Sequence, residues 1–312
     1  MRPVLMSLNL GGRELALHGY GVLVAVGFAA GIVLAFREAR RQGMDGGQVL
    51  DLSFWILVAG LAGSRLLYVL LNARELAADC VGRGAPRSAA DVIAACARPL
   101  FLWEGGLVFY GGVAAAAGAT AIFVRRRRWS FWRVADIFAP SLALGHFFGR
   151  LGCFAAGCCF GKTCIGAWGG VHFPAGSVAF DELTGSGLGG GAVMNGLHPT
   201  QLYEAAGDLG LFFLLILARQ RTRRSGEIAL GYALAYAAVR VVIEMFRGDS
   251  ARRFVGELGI PALARALALP PDQPLFLSVS QTIGLLVLAA AITTFWVRRR
   301  AVRKPVPLPP SP

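Results

Sequence analysis

An arginine, Arg150, and four of the chain's six cysteines, Cys153, Cys158, Cys159 and Cys164, fall within residues 149–164 among closely spaced glycines. The stretch closes an apolar run, 137–148, of the kind that sits in a bilayer. A guanidinium placed there is costly and calls for an anionic partner, either a carboxylate or a lipid phosphate. Other ionisable residues lie within or at the ends of apolar runs: Arg65, Glu104, Glu204, Asp208, Arg240, Glu244 and Arg247. Each costs about 2.5–3.5 kcal/mol at the bilayer centre on insertion scales, which makes each a functional-site candidate. Arg240, Glu244 and Arg247, at i, i+4 and i+7, are expected on one helical face, and Gln201, Glu204 and Asp208 on another. Opposed carboxylates and guanidiniums on neighbouring helices form a polar cavity in an apolar bundle. For any single residue the alternative is an ion pair that only fixes helix packing.

The cysteines leave several chemistries open. Their spacing is not that of a zinc ribbon, and His146 or His172 would have to complete a metal site. No metal and no cofactor is expected. Adjacent Cys158 and Cys159 do not readily bridge each other. Disulfides within 153–164, or between Cys80 and Cys96, stand beside plain packing and a nucleophilic or redox thiol.

The elements that position these groups follow from composition. Of the 312 residues, 55% are hydrophobic and only 16% charged. Seven apolar runs, at about 18–36, 51–71, 104–124, 134–153, 200–218, 228–246 and 275–297, predict an all-α integral membrane protein with seven transmembrane helices. The first run has no basic region directly before it and no cleavage site, and is read as a retained span. The net charge of +13 gathers in alternate connections: Arg37, Arg40 and Arg41; Arg125–Arg128 with Arg133; Arg219, Arg221, Arg223 and Arg224; Arg298–Arg300, Arg303 and Lys304. All four clusters then lie on one side, the cytoplasmic one, with the N-terminus out and the C-terminus in. This distribution, without interleaved aromatics, argues against nucleic acid as a partner. Residues 1–304 read as one polytopic membrane domain. The 154–199 connection, with its glycine-rich Gly185–Gly191 and with His172 and His198, forms a small periplasmic head, and 305–312 a disordered tail.

Glycines at 105, 106, 111, 112 and 118 allow close helix approach on the third span. They also flank Tyr110, leaving its hydroxyl accessible. His198 shapes the start of the fifth span rather than taking a proton.

The run His198-Pro199-Thr200-Gln201-Leu202-Tyr203-Glu204 resembles a signature of the prolipoprotein diacylglyceryl transferases, and further matches follow in the same order along nearly the whole chain. They are Gly19-Tyr20-Gly21, Gly63-Ser64-Arg65-Leu66-Leu67-Tyr68, Trp103-Glu104-Gly105-Gly106-Leu107 through Tyr110-Gly111-Gly112, and Ala135-Asp136-Ile137-Phe138-Ala139-Pro140. Gly149-Arg150-Leu151-Gly152, then Arg240, Glu244 and Arg247, then Ser280-Gln281 complete the set. The resemblance implies transfer of the diacylglyceryl group of phosphatidylglycerol to the lipobox cysteine thiol of a prolipoprotein signal peptide, with release of glycerol phosphate. It implies a multi-pass protein of the bacterial inner membrane. Arg150 and Arg240 match family arginines and would contact the headgroup, with Gly152, Gly161 and Arg247 beside them. Gln201, Glu204 and Glu244 would order the polar cavity, and Tyr20 and Tyr110 would face it.

The chain departs from the family pattern at named places. The family carries histidine where this chain has Tyr110, and a neutral phenol is a poor base near pH 7. It carries asparagine, asparagine and glutamate where this chain has Cys153, Ala156 and Cys158. Two other readings accompany the main one: a paralogous transferase with a different donor or acceptor, and a non-catalytic lipid-binding or redox-responsive membrane protein.

Overall fold

The computed structural model describes residues 4–10, 13–81, 96–97, 106, 108–165, 170–185, 196–222, 224–249 and 253–303. Glu104 with its neighbours Trp103, Gly105 and Leu107, most of the glycine-rich Gly185–Gly191 stretch, Arg223 and the 305–312 tail lie outside them.

Among the described residues seven long helices overlap the apolar runs: α1 (Gly19–Arg41), α2 (Gly46–Leu71), α4 (Phe109–Arg126), α5 (Phe131–Ala156), α7 (Thr200–Arg219), α8 (Glu227–Glu244) and α10 (Val279–Arg303). Three short helices, α3 (Ala73–Val81), α6 (Val178–Gly185) and α9 (Pro261–Ala266), lie in the connections. Five of the long helices, α1, α2, α5, α7 and α10, are long and apolar enough to cross a membrane. The other two are 18 residues each; α4 ends in Arg125 and Arg126, and α8 carries Glu227, Arg240 and Glu244. Two short antiparallel ribbons accompany the helices: β1 (Val4–Leu10) with β2 (Arg13–His18), and β3 (Phe254–Leu258) with β4 (Phe276–Ser278). The expected seventh run therefore begins as strand over residues 276–278 and turns helical at Val279.

The chain forms two compact units, Phe36–Val134 and the combination of Met1–Ala35 with Ala135–Pro312. In the first, α2 and α4 meet through glycines. A Cβ on Gly63 would collide with Gly111 O, and one on Gly111 with Gly63 O and with Leu67 Cβ at 2.6 Å. Small residues on both faces let the backbones touch, and dispersion rather than a hydrophobic drive holds helices together in lipid. The loop before α4 is tied to α2 as well: Val108 N–H donates to Ser64 O at 3.1 Å, and Arg65 Nη1 to Gly106 O at 3.2 Å. The Arg65 guanidinium also lies 5.0 Å from the Tyr68 ring centroid. Cys80, at the end of α3, is disulfide-bonded to Cys96, one of the pairings the sequence left open.

In the second unit α1 lays Gly27 and Gly31 on α5. A Cβ at Gly27 would stand 2.8 Å from Phe148 Cβ, and one at Gly31 3.3 Å from Ser141 O. Ala139, Ala143, Leu211, Leu215 and Ile228 join α5, α7 and α8 in a buried core. Asp136 on α5 caps the start of α8, accepting from Gly226 N–H at 2.5 Å and Ala229 N–H at 2.9 Å. A carboxylate there satisfies orphan N–H groups and faces the positive helix end. The connection after α5 has its own small core of Phe160, Phe173, Ala179 and Leu197. Its backbone is stitched by the bridges Gly161–Arg247, Thr163–Leu197 and Val171–Leu197.

Replacing Gly111 by valine should lower stability by about 1–3 kcal/mol, because the added carbons meet backbone that cannot yield. Thermal unfolding in detergent micelles measures this, and an unchanged midpoint would count against the glycine seam.

Candidate functional site

α7 opens directly after Pro199, and its first turns carry Gln201, Glu204 and Asp208 on one face, as their spacing requires. All three are buried, Glu204 with 2% of its surface exposed and Asp208 with none. α5 brings Arg150 to this face and α8 brings Arg240. Arg150 Nη2 lies 2.7 Å from Glu204 Oε1, and Arg240 Nη1 lies 3.2 Å from Glu204 Oε2. Each oxygen of one buried carboxylate thus serves a different helix. Arg240 Nη2 continues to Glu244 Oε2 at 3.0 Å, one turn along its own helix. Glu244 Oε1 accepts from Ser278 Oγ at 3.1 Å.

Ser278 is itself fixed. Its N–H donates to Gln281 Oε1 at 3.1 Å, and Gln281 Nε2 donates to Leu275 O at 3.0 Å. The start of α10 therefore holds Glu244, which orients Arg240. The carboxylates are sealed, but the Arg150 and Arg240 side chains retain 19% and 17% exposure. Each guanidinium has five N–H donors in a planar fork. Arg150 spends one end on Glu204, and both keep donors that suit phosphate oxygens.

The predicted set is distributed as follows. Gly152 packs on Tyr20, where an added Cβ would stand 3.1 Å from Tyr20 Cδ2 and 3.3 Å from Tyr20 O. Tyr20, Arg150 and Gly152 thus belong to one corner of the unit. Gly161 lies at a backbone crossing: an added Cβ would stand 2.9 Å from Phe246 O and 2.7 Å from His198 Cβ. Gln201 is not loose in a cavity; its Nε2 donates to Cys158 O at 2.7 Å. Tyr110 lies in the other unit, in the first turn of α4, with its ring half exposed.

Arg247 corrects the expected i, i+4, i+7 face. α8 ends at Glu244, and the chain then pairs with the 160–162 segment through Lys162 N–H to Phe246 O at 2.7 Å and Gly248 N–H to Phe160 O at 3.1 Å. Those cross-chain bonds stop the helix, and Arg247 turns to Asp249, with Nε–Oδ1 at 2.9 Å and Nη2–Oδ2 at 2.6 Å. Spacing alone carried the helix one turn too far.

His198 sits at the entrance to α7, with its Nε2 3.1 Å from Ala268 O and its Nδ1 3.2 Å from Tyr203 Oη. Two features escaped sequence reasoning. His146 Nδ1 pairs with Tyr232 Oη at 2.9 Å beside the Tyr236 ring, and Ser278 is an anchor for Glu244. An intramembrane histidine on α5 was the available signal for the first. The second had none, because serine carries no charge that flags its cost.

Glu204→Gln should cost about 3–5 kcal/mol of stability, since it leaves two partly buried guanidiniums sharing a neutral amide. Asp208 has no hydrogen-bond partner on either carboxyl oxygen among the described residues. Asp208→Asn should accordingly change stability by less than about 1 kcal/mol. Denaturation of both variants in the same detergent tests the difference; equal losses would contradict the bridging role of Glu204.

Comparison with known proteins adds to this geometry. The family model described as prolipoprotein diacylglyceryl transferase matches residues 3–297. A phosphatidylglycerol–prolipoprotein diacylglyceryl transferase of Thermosynechococcus vestitus is 34% identical over 84% of this chain and 88% of its own length. Proteins of the same name from Clostridium tetani and Geobacillus kaustophilus are 27% and 31% identical, over 80% and 78% of this chain and 86% and 80% of their own lengths.

Proposed function

The chain belongs to the prolipoprotein diacylglyceryl transferase family, and from that premise we propose that it transfers the diacylglyceryl group of phosphatidylglycerol to a prolipoprotein. The observation that supports this reading best is the Arg150–Glu204–Arg240–Glu244 cluster: two guanidiniums of limited exposure, aimed by sealed carboxylates, among apolar helices. The acceptor is the lipobox cysteine thiol of the signal peptide.

The chemistry sets clear demands. The acceptor sulfur attacks the glycerol carbon that bears the phosphate, the carbon–oxygen bond breaks, and glycerol phosphate departs with the electron pair. The thiol proton leaves as the thioether forms. Negative charge grows on the departing phosphate, and donors fixed beforehand in a water-poor site stabilise it with little reorganisation. Arg150 and Arg240 supply these donors, and guanidinium stays charged in an apolar setting where an ammonium readily loses its proton. Glu204 and Glu244 are positioning residues: they hold the two forks but do not touch the donor lipid. Gly152 lets Tyr20 close against the Arg150 corner, and Gly161 lets the 160–162 segment cross Phe246 and His198. The Arg247 backbone bridges Gly161 in that segment, and Gln201 holds the Cys158 carbonyl just before it. Tyr110 stands where the family carries histidine, and its phenol is the catalytic candidate at that position.

In this reading residues 1–304 work as one polytopic domain of the bacterial inner membrane. It has seven spans, the N-terminus outside and the C-terminus inside, so that the basic connections face the cytoplasm. The 154–199 connection is the periplasmic head.

Purified protein supplied with phosphatidylglycerol and a lipobox peptide should release glycerol phosphate only when the peptide is present, and the peptide should gain the mass of a diacylglyceryl group. Arg150→Lys and Arg240→Lys should each lower turnover about 100-fold, since a lysine replaces a fork by a point charge. Release without peptide, or none with it, would defeat the assignment. Tyr110→Phe should reduce turnover about tenfold or more; full activity would remove Tyr110 from the mechanism.

A further inference from the structure

Helix α5 stops at Ala156 in a way that brings sulfurs together. Gly157 N–H donates to Phe154 O at 3.2 Å, and Cys158 N–H donates to Cys153 O at 3.1 Å, with Gly157 at φ 73°. This closure folds the second residue past the helix onto the last full turn, so that Cys158 returns over Cys153. Cys159 then adopts φ 59°, a left-handed conformation that costs a non-glycine residue about 1–2 kcal/mol. Two side chains at the start of α7 hold it there. Gln201 Nε2 donates to Cys158 O at 2.7 Å, and Thr200 Oγ1 donates to Cys159 O at 2.8 Å.

The result is three partly buried free thiols, Cys153, Cys158 and Cys159, whose Sγ atoms all lie within 4.8 Å of one another. The same structure joins Cys80 to Cys96 as a disulfide and leaves these three unjoined. Among the described residues no histidine, aspartate or glutamate completes the group, so neither His146 nor His172 takes part.

We propose that Cys153, Cys158 and Cys159 form a three-thiolate binding site for a soft, closed-shell monovalent cation, with Cu(I) as the best fit. Thiolate sulfur selects Cu(I) and zinc among common metals. Zinc closes its structural sites with four nitrogen or sulfur ligands, and among the described residues three converge here. Three sulfurs satisfy Cu(I) without a fourth. Binding exchanges thiol protons for the cation; the protons pass to solvent and no electron moves. The turn is set before the ion arrives, because backbone bonds and α7 fix its shape. Cys153 stands three residues after Arg150 on α5, so the ion would sit about one helical turn from the guanidinium cluster.

The test uses the full-length protein in detergent, reduced and free of oxygen, titrated with Cu(I) against a chromophoric Cu(I) chelator. The expected result is one Cu(I) per chain, three sulfur neighbours by X-ray absorption, and protection of Cys153, Cys158 and Cys159 from maleimide in peptide maps. Cys153→Ser and Cys158→Ser should each weaken binding about tenfold or more, while Cys164→Ser should leave it unchanged. The sulfur count and the protection pattern are read on the unsubstituted protein, so a variant that fails to fold does not decide the outcome. Coordination by two sulfurs, undiminished binding in a folded Cys158→Ser variant, or a disulfide among the three in the isolated protein would each overturn the proposal. No transferase assay enters, so this site and the donor-lipid reading stand or fall separately.

Discussion

Glu204 is the group on which the rest of the second unit depends. A carboxylate with almost no exposed surface survives among apolar helices only when cations compensate its lost hydration. Here the compensation comes from two directions, Arg150 on α5 and Arg240 on α8, one to each oxygen. Three helices are thereby registered to one another at a single point. The packing below that point, through Ala139, Ala143, Leu211, Leu215 and Ile228, is apolar and would tolerate small slides; the shared carboxylate does not. The electrostatic requirement that makes Glu204 expensive also makes the arginine geometry specific.

A second tier keeps this arrangement from relaxing. The second oxygen of Glu244 is held by Ser278, and Ser278 is held in turn by Gln281 at the start of α10. Asp136 does comparable work at the opposite end of α8, where it caps the helix from α5. α8 is thus pinned at both ends by side chains from other elements, Asp136 of α5 and Ser278 of β4. It carries three charged residues in 18, and polar anchoring of this kind suits a helix whose composition alone would not hold it in lipid.

The turn after α5 takes its shape from its own backbone and from α7. The backbone turn is kept by Gly157 and by the Gln201 and Thr200 hydrogen bonds to the Cys158 and Cys159 carbonyls, none of which needs a particular side chain at 153 or 158. Cysteine is therefore accommodated at 153 and 158 without strain on the fold, and the turn presents soft, polarisable sulfur.

Much of the architecture was legible in the chain. Apolar runs of membrane length fixed where the long helices fall, because lipid demands internally satisfied backbone and an apolar exterior. The spacing of Gln201, Glu204 and Asp208 correctly placed them on one face, since helical periodicity is a local property. The cost of intramembrane charge marked Arg150, Glu204, Arg240 and Glu244 before any geometry was known. Tertiary structure decided the rest. Which carboxylate serves which guanidinium depends on helix neighbours, and no local pattern encodes neighbours. Arg247 left the helix because backbone from 160–162, some 85 residues earlier in the chain, captured the hydrogen bonds that would have continued it. The convergence of Cys153, Cys158 and Cys159, and the exclusion of both histidines from it, came from a chain reversal at Gly157 held by side chains of α7. Sequence determined which residues are costly enough to need partners; only the fold, by bringing distant segments into contact, determined who the partners are.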